Sequence, residues 1–223
     1  MKNILIKYPT RSRPQKFLQT LKKINSFSAD LSNIHLLVSY DTDDTTMTNE
    51  VIEQAKKYFH KGEYIAGLSA NKIQACNRDI NRTQYKWDIL VLMSDDMDVQ
   101  VRNWDNVLRE EMKKHFPDKD GVLWFNDGYT GNKLNTMCIL GKKYYERFNY
   151  IYHPEYASLW CDNEFMEVAN KLNKQKYFDK ILFKHEHPAN NKTKSDQLLK
   201  HNETFYSKDK ETYLKRKANN FNL

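Results

Sequence analysis

Residues 89–98 read Ile-Leu-Val-Leu-Met-Ser-Asp-Asp-Met-Asp, five apolar residues followed by three carboxylates within five positions. The apolar run has no helical spacing and reads as a strand buried on both faces. Asp95, Asp96 and Asp98 repel one another unless something positive neutralises them. A hard divalent cation does this, since Mg²⁺ and Mn²⁺ prefer oxygen ligands and share them with phosphates. In an open α/β sheet such ligands bind beyond the carboxyl ends of the strands. The simpler account of any single acidic turn is solvation, so the case rests on what else gathers near it.

Several other residues have the right chemistry. Pro9-Thr10-Arg11-Ser12-Arg13-Pro14 follows a strand pattern and precedes a helical one. A threonine and two arginines at a helix N-terminus can hold a phosphate or nucleotide. Asp41 ends a second strand pattern, a place where a carboxylate accepts hydrogen bonds from a ribose or base. Lys72 and Asn77 lie on a helix but off its apolar stripe, free to reach a diphosphate or to order the acidic cluster. Asp162 falls at a helix start, where it serves equally as a cap and as a base held in fixed position. His185 and His187 alternate in an extended segment, so they face the same way and can complete a metal site begun by Asp98. Each has a plain structural alternative as cap, surface charge or exposed imidazole.

The elements that must position these groups alternate. Strands are expected at 3–8, 34–40, 63–66 and 89–93, with helices between them marked by Phe17, Leu18, Leu21 and Ile24, by Val51, Ile52 and Ala55, and by Ile73, Cys76 and Ile80. Alternation predicts a mainly parallel α/β sheet with right-handed crossovers, and it brings the polar ends of the first, second and fourth strands to one rim. Further strands are expected at 122–125, 136–140 and 181–183.

The 223 residues suit one domain, residues 1–190, with a C-terminal extension at 191–223, helical or partly mobile. That extension interleaves Lys200, Lys208, Lys210, Lys215, Arg216 and Lys217 with Phe205, Tyr206, Tyr213 and Phe221. A net charge of +7 favours anionic partners, whether nucleotides, nucleic acid or an anionic membrane surface. No apolar run approaches the ~20 residues of a membrane span. Cys76, Cys138 and Cys161 form neither a zinc pattern nor a disulfide framework. With no signal peptide in view, a cytoplasmic setting is expected.

These residues together resemble the glycosyltransferases of the GT-A fold, nearest to the family-2-like enzymes and their small phage and bacterial versions. The likeness runs from about Asn3 to Pro188. It implies that Pro9, Thr10, Arg11 and Arg13 belong to the first nucleotide-binding turn, that Asp41 contacts uracil or ribose, and that Lys72 and Asn77 precede the metal motif. Asp96-Met97-Asp98 resembles the family's Asp-x-Asp motif, whose last carboxylate binds Mn²⁺ or Mg²⁺ on the diphosphate of a nucleotide sugar, a UDP-sugar for choice. The extra Asp95 leaves that register open by one residue. Asp162 stands where the family has its base, and His185 or His187 where many members have a metal-binding histidine. The usual Glu-Asp pair is Cys161-Asp162 here, with Glu164 two residues on, so the base is open between Asp162 and Glu164. No Gln-x-x-Arg-Trp motif of processive synthases is present, which implies one sugar per encounter.

The resemblance implies a metal-dependent transfer to an acceptor hydroxyl, inverting if Asp162 is a base and retaining if no base is used. Trp124, Asn126, Asp127 and Trp160 are the candidate sugar or acceptor contacts. The acceptor is expected to be a carbohydrate or a modified base in DNA. Two rivals stand beside this reading: a sugar-nucleotide nucleotidyltransferase, whose glycine-rich first loop is missing here, and a nucleic-acid-binding module on a degenerate fold.

Overall fold

The computed structural model describes residues 2–186 and 196–223. The strands are β1 (Ile4–Thr10), β2 (Ile34–Asp41), β3 (Gly62–Gly67), β4 (Ile89–Leu92), β5 (Met97–Val99), β6 (Val122–Phe125), β7 (Ile139–Gly141), β8 (Gln175–Phe178) and β9 (Phe183–His185). The helices are α1 (Pro14–Phe27), α2 (Asn49–Tyr58), α3 (Lys72–Asn77), α4 (Trp104–His115), α5 (Lys142–Glu146), α6 (Cys161–Lys171), α7 (Gln197–Glu203) and α8 (Tyr206–Ala218).

Seven strands form the main sheet in the order β3-β2-β1-β4-β7-β6-β8, and β5 pairs with β9 in a small second sheet. Within the main sheet only β7 runs against its neighbours. Alternation along the strands divides the core into two layers. Ile4, Ile6, Ile34, Leu36, Val38, Ile89 and Val91 point to one face, while Leu5, Leu37, Leu90 and Leu92 point to the other. The continuous apolar run of β4 is thereby explained, since helices cover both faces.

Two strands were not anticipated. β5 is three residues long and lies inside the acidic segment; it forms only because β9 pairs with it, Met97 opposite His185 and Asp98 opposite Lys184. β8 (Gln-Lys-Tyr-Phe) is an edge strand without the apolar weight that would announce it. β1 also continues beyond the expected Tyr8, through Pro9 and Thr10, which pair with Ser39 and Tyr40. Proline is tolerated there because β4 ends at Leu92, opposite Lys7, so no donor is required on that side. Beyond this point β1 and β4 part, and the gap between them is the topological switch point, where open α/β sheets bind ligands.

The C-terminal helix α8 is built into the body. Asp209, fully buried, accepts the backbone N–H groups of Ala157, Ser158 and Leu159 at 2.9, 2.8 and 2.7 Å. Arg216 forms a buried fork with Glu164 of α6, both bonds 2.8 Å.

Lys7 lies among the apolar residues of β1 with no exposed surface. Its ammonium donates to Ser39 Oγ, and that hydroxyl donates to Asp79 Oδ2 at 2.7 Å. Burial pushes the Lys7 ammonium down to about 7, against an opposing pull from Asp79. An unfolded lysine titrates near ~10.4. Between those values the unfolded chain holds more protons, so this group makes folding more favourable as pH rises through the window. Below about pH 7 both states are protonated and the cost of burying the charge is present in full. Urea unfolding at several pH values should show this: from about pH 7 to 9 the native chain gains roughly 2 kcal/mol relative to Lys7→Met. Parallel pH profiles for the two proteins would mean that Lys7 keeps its proton in the native chain throughout this window.

Candidate active site

The β1–α1 loop and the β4–β5 loop meet at the switch point. Pro14 opens α1 and turns the chain back at the rim, placing Arg13 at the N-cap position. The Arg13 guanidinium bonds Asp95 Oδ1 at 3.0 Å and forks Asp196 at 2.6 and 2.9 Å. One side chain thus ties the acidic loop to the start of α7.

Asp96 is the carboxylate of this loop that meets β9. Ser94 Oγ donates to Asp96 Oδ1, and His185 Nε2 lies 3.5 Å from Asp96 Oδ2. The backbone clamps the same contact, since Glu186 N donates to Asp96 O at 2.7 Å and His185 N donates to Asp127 O at 3.1 Å. Burial alone would raise the Asp96 carboxyl, but His185, Ser94 and Lys72 hold it far below the usual carboxylate range. For Asp95 the balance goes the other way: burial, with the repulsion of Asp96, raises it despite Arg13.

Lys72 and Asp162 complete the group. Asn71 caps α3 by accepting from Gln74 N at 2.9 Å, which sets Lys72 at the first helical position. Lys72 keeps exposed surface, and desolvation by its neighbours pulls its ammonium down. Cys161, Cys76, Asp96 and Asp162 outweigh that desolvation and raise the ammonium. Asp162 lies in the first turn of α6. Burial raises its carboxyl above the ordinary range, with Lys72 and His185 opposing. Asp96, His185, Lys72 and Asp162, distant in sequence, therefore share one electrostatic neighbourhood.

Beside this cluster the ends of β1, β2 and β3 form a second polar region. Arg11 Nη1 donates to Asp41 Oδ2 at 3.0 Å, and the guanidinium forks Asp43 at 2.5 and 3.0 Å. Arg78 Nη2 donates to Tyr40 O at 2.8 Å. Among the described residues, Thr10 Oγ1, Asp41 Oδ1, Ser69 Oγ and Arg78 Nε are buried without a hydrogen-bond partner. Buried polar atoms are ordinarily paired, so donors and acceptors left over at the end of a sheet suit a ligand with a polar edge.

For a cation, the fit is partial and informative. A carboxylate with an adjacent imidazole is a donor pair that Mn²⁺ accepts, and phosphate oxygens suit the remaining positions. Among the described residues no three His, Cys, Asp or Glu side chains converge to hold a metal by themselves. A cation here depends on oxygens from a ligand.

The remaining expected residues are placed differently. Asp98 lies on β5 beside α1, its carboxylate bonded to Lys23 Nζ and Gln100 Nε2, each at 2.5 Å. Asn77 is fully engaged in holding the chain at 151–152: it donates to Tyr152 O at 2.6 Å and accepts from Ile151 N and Tyr152 N at 2.9 and 3.1 Å. Asp127 closes its own loop by accepting from Tyr129 N, Thr130 N and Thr136 Oγ1 at 2.8, 2.7 and 2.8 Å. Asn126 bonds Asp179 at 2.8 Å, and Trp124 packs edge-on against Tyr177. These three thus each make contacts within the fold. Glu164 is taken by Arg216 and by Tyr156, whose hydroxyl donates to it at 2.8 Å. Trp160 stands at the N-cap of α6. His187 lies outside the described residues.

Sequence reasoning missed Arg78, Ser94 and the roles of Lys7 and Arg216. Arg78 directly precedes Asp79 at the end of α3, but nothing local shows that it reaches Tyr40 on β2.

No family model matches the chain, and no curated protein matches it in sequence. Solved structures do match. A mannosyltransferase from Pyrobaculum calidifontis, PcManGT, in complex with GDP-Man and Mn²⁺, superposes with TM-score 0.66 at 10% identity over 92% of this chain and 69% of its own. S. aureus TarS 1–349 in complex with UDP-GlcNAc superposes with TM-score 0.66 at 15% identity, over 89% of this chain and 60% of that fragment. This chain thus spans three fifths of TarS 1–349. A 4-diphosphocytidyl-2C-methyl-D-erythritol synthase from Anaerococcus prevotii superposes with TM-score 0.56 at 11% identity over 92% and 96%. The strand order, the single antiparallel strand and these likenesses define the class: the chain has the GT-A fold of the nucleotide-sugar glycosyltransferases. Among its described residues no helix is long and apolar enough to cross a membrane.

Proposed function

We propose that this chain transfers a single sugar from a nucleotide-diphosphate donor to an acceptor hydroxyl, with inversion. The observation that supports it most is the convergence of Asp96, His185, Lys72 and Asp162 at the switch point. Thr10, Asp41, Ser69 and Arg78 receive the nucleoside, Asp41 Oδ1 accepting and Arg78 Nε donating, as the imide edge of uracil requires. A UDP-sugar is the donor this favours. Lys72 lies toward the diphosphate and offsets the negative charge that grows on the leaving group. Asp162 takes the proton from the acceptor hydroxyl, which attacks the anomeric carbon from the side opposite the diphosphate.

Asp96 and His185 hold the divalent cation, which when bound neutralises the diphosphate. Of the two carboxylates expected at the metal, Asp98 with Asp96 in support, this reading keeps Asp96, because Asp98 is bonded to Lys23 and Gln100. Calorimetric titration of UDP with and without Mn²⁺ tests it. Asp96→Ala should abolish the Mn²⁺-dependent part of binding and His185→Ala should weaken it at least about tenfold, the scale seen when metal-site groups are removed. Asp98→Ala should keep it. Loss in Asp98→Ala alone would return the metal to Asp98.

The likeness to a cytidyl-transferring synthase keeps a nucleotidyltransferase as the second reading. The two differ in product. Glycosyl transfer releases a nucleoside diphosphate, and nucleotidyl transfer releases pyrophosphate. Screening UDP-sugars and sugar phosphates with UTP, and assaying both products, decides between them.

A further inference from the structure

Resting on the glycosyl-transfer reading above, we infer that α8 and Trp160 form the acceptor subsite, and that its occupant is a saccharide ring.

Trp160 is the residue from which α6 starts, two positions before Asp162. It lies in the left-handed region at φ 61°, a conformation rare for a bulky side chain. Backbone held this way persists only where the surroundings over-determine it, and such strain gathers at ligand sites. The surroundings here are specific. Asp209 of α8 fixes the backbone of residues 157–159 through three hydrogen bonds, and Ile73 N donates to Ala157 O at 3.3 Å. The segment entering Trp160 is therefore clamped between α8 and the start of the helix that carries Lys72.

On α8, Tyr206 and Tyr213 are seven residues apart and share the face that carries Asp209. Both rings meet the indole, with centroids 5.7 and 5.2 Å away. Tyr206 is 49% exposed, so this aromatic group is open on one side. The Lys210 ammonium stands 5.8 Å from the indole centroid. The Trp160 Nε1–H is buried and has no acceptor among the described residues. A buried indole donor normally has a partner.

These features match a sugar. Its C–H face packs on an aromatic surface, and its oxygens accept from an indole N–H and a lysine. A nucleic-acid base stacks flat on an aromatic face and also uses a groove that tracks the phosphate backbone. The indole and Tyr206 planes are inclined by 65°, giving a corner that fits a puckered ring better than a flat one. The exposed side of α8 carries Glu211 among its lysines, so no continuous basic track leads to the corner. The position bears on the chemistry as well, since Trp160 opens the helix whose first turn carries the residue proposed to deprotonate the acceptor.

The test uses the full chain on an array of oligosaccharides, with duplex and single-stranded oligonucleotides as a second arm, followed by calorimetry on the best binder. Tyr206→Ala and Lys210→Ala change exposed positions, and Trp160→Phe keeps a ring while deleting the N–H. The expected result is saccharide binding by the native chain, at least about tenfold weaker in Tyr206→Ala and weaker in the other two, with circular dichroism unchanged in all three. Unaltered saccharide affinity in Tyr206→Ala and Lys210→Ala overturns the inference. So does an array with no binder, or oligonucleotide binding as the property these substitutions remove. Titration of UDP with Mn²⁺ reports separately on the donor site. Its failure in the native chain would sink the transferase reading, while the array still decides what the corner binds.

Discussion

Asp162→Asn is expected to lower sugar transfer by ~10²–10⁴, the range for loss of a general acid–base group, while UDP binding with Mn²⁺ stays within a few fold of the native value. Asparagine keeps the size of the side chain and its suitability for the first turn of α6, so what is lost is basicity. The pH profile carries a second signature. A base acts deprotonated, so the rate rises as pH passes upward through its titration. Burial raises the Asp162 carboxyl, which puts the acid limb of kcat/KM above the pH at which a solvated carboxylate would give it. The residual activity of Asp162→Asn should lack that limb. Transfer at the native rate by Asp162→Asn would remove the inverting mechanism. Glu164→Gln is the informative companion, because the carboxylate of Glu164 is held by Arg216 and Tyr156. Its effect should appear as lost stability, with transfer by the remaining folded enzyme largely kept.

Arg216→Ala should destabilise the chain by about 3–5 kcal/mol, the cost of leaving one partner of a buried ion pair uncompensated. The Glu164 and Arg216 side chains are only 6% and 5% exposed, so water does not replace the missing guanidinium. Urea unfolding should show a lower midpoint with an unchanged slope. Replacing both partners, Glu164→Leu with Arg216→Met, should recover much of the loss, because no charge is then left stranded. Equal stability of Arg216→Ala and the native chain would mean that α8 is a detachable appendage. The prediction bears on truncation too: a chain ending before Asp196 loses Arg216 and also Asp209, which satisfies three backbone donors next to the candidate base.

Much of the architecture was legible without coordinates, and for identifiable reasons. A strand buried on both faces must be apolar at every position, so Ile89–Leu92 announced itself. Helices that cover a sheet repeat their apolar residues every three or four positions, and Phe17, Leu21 and Ile24 are buried as that spacing requires. Chain order then implied parallel pairing and a shared rim, where Arg11 bonds Asp41 and Arg13 bonds Asp95. β5 and β8 escaped notice because three or four residues of mixed polarity become strands only when a partner supplies the hydrogen bonds.

Side-chain roles divide in the same way. Residue type and local spacing determined which groups were capable of chemistry: the carboxylates after β4, the aspartate opening α6 and the histidine ending β9. Which of them face one another was decided by tertiary structure alone. Asp96 and Asp98 differ by two positions and have the same chemistry, yet one meets His185 and the other meets Lys23. Asp162 and Glu164 differ by two positions on one helix, and Arg216, 52 residues from Glu164, claims only the second. An electrostatic partner is chosen by distance in space, since Coulomb interactions in a low-dielectric cleft depend on separation and burial. Sequence therefore settled the inventory of charges, and the packing of α8 on α6 and the pairing of β9 with β5 settled which of them meet.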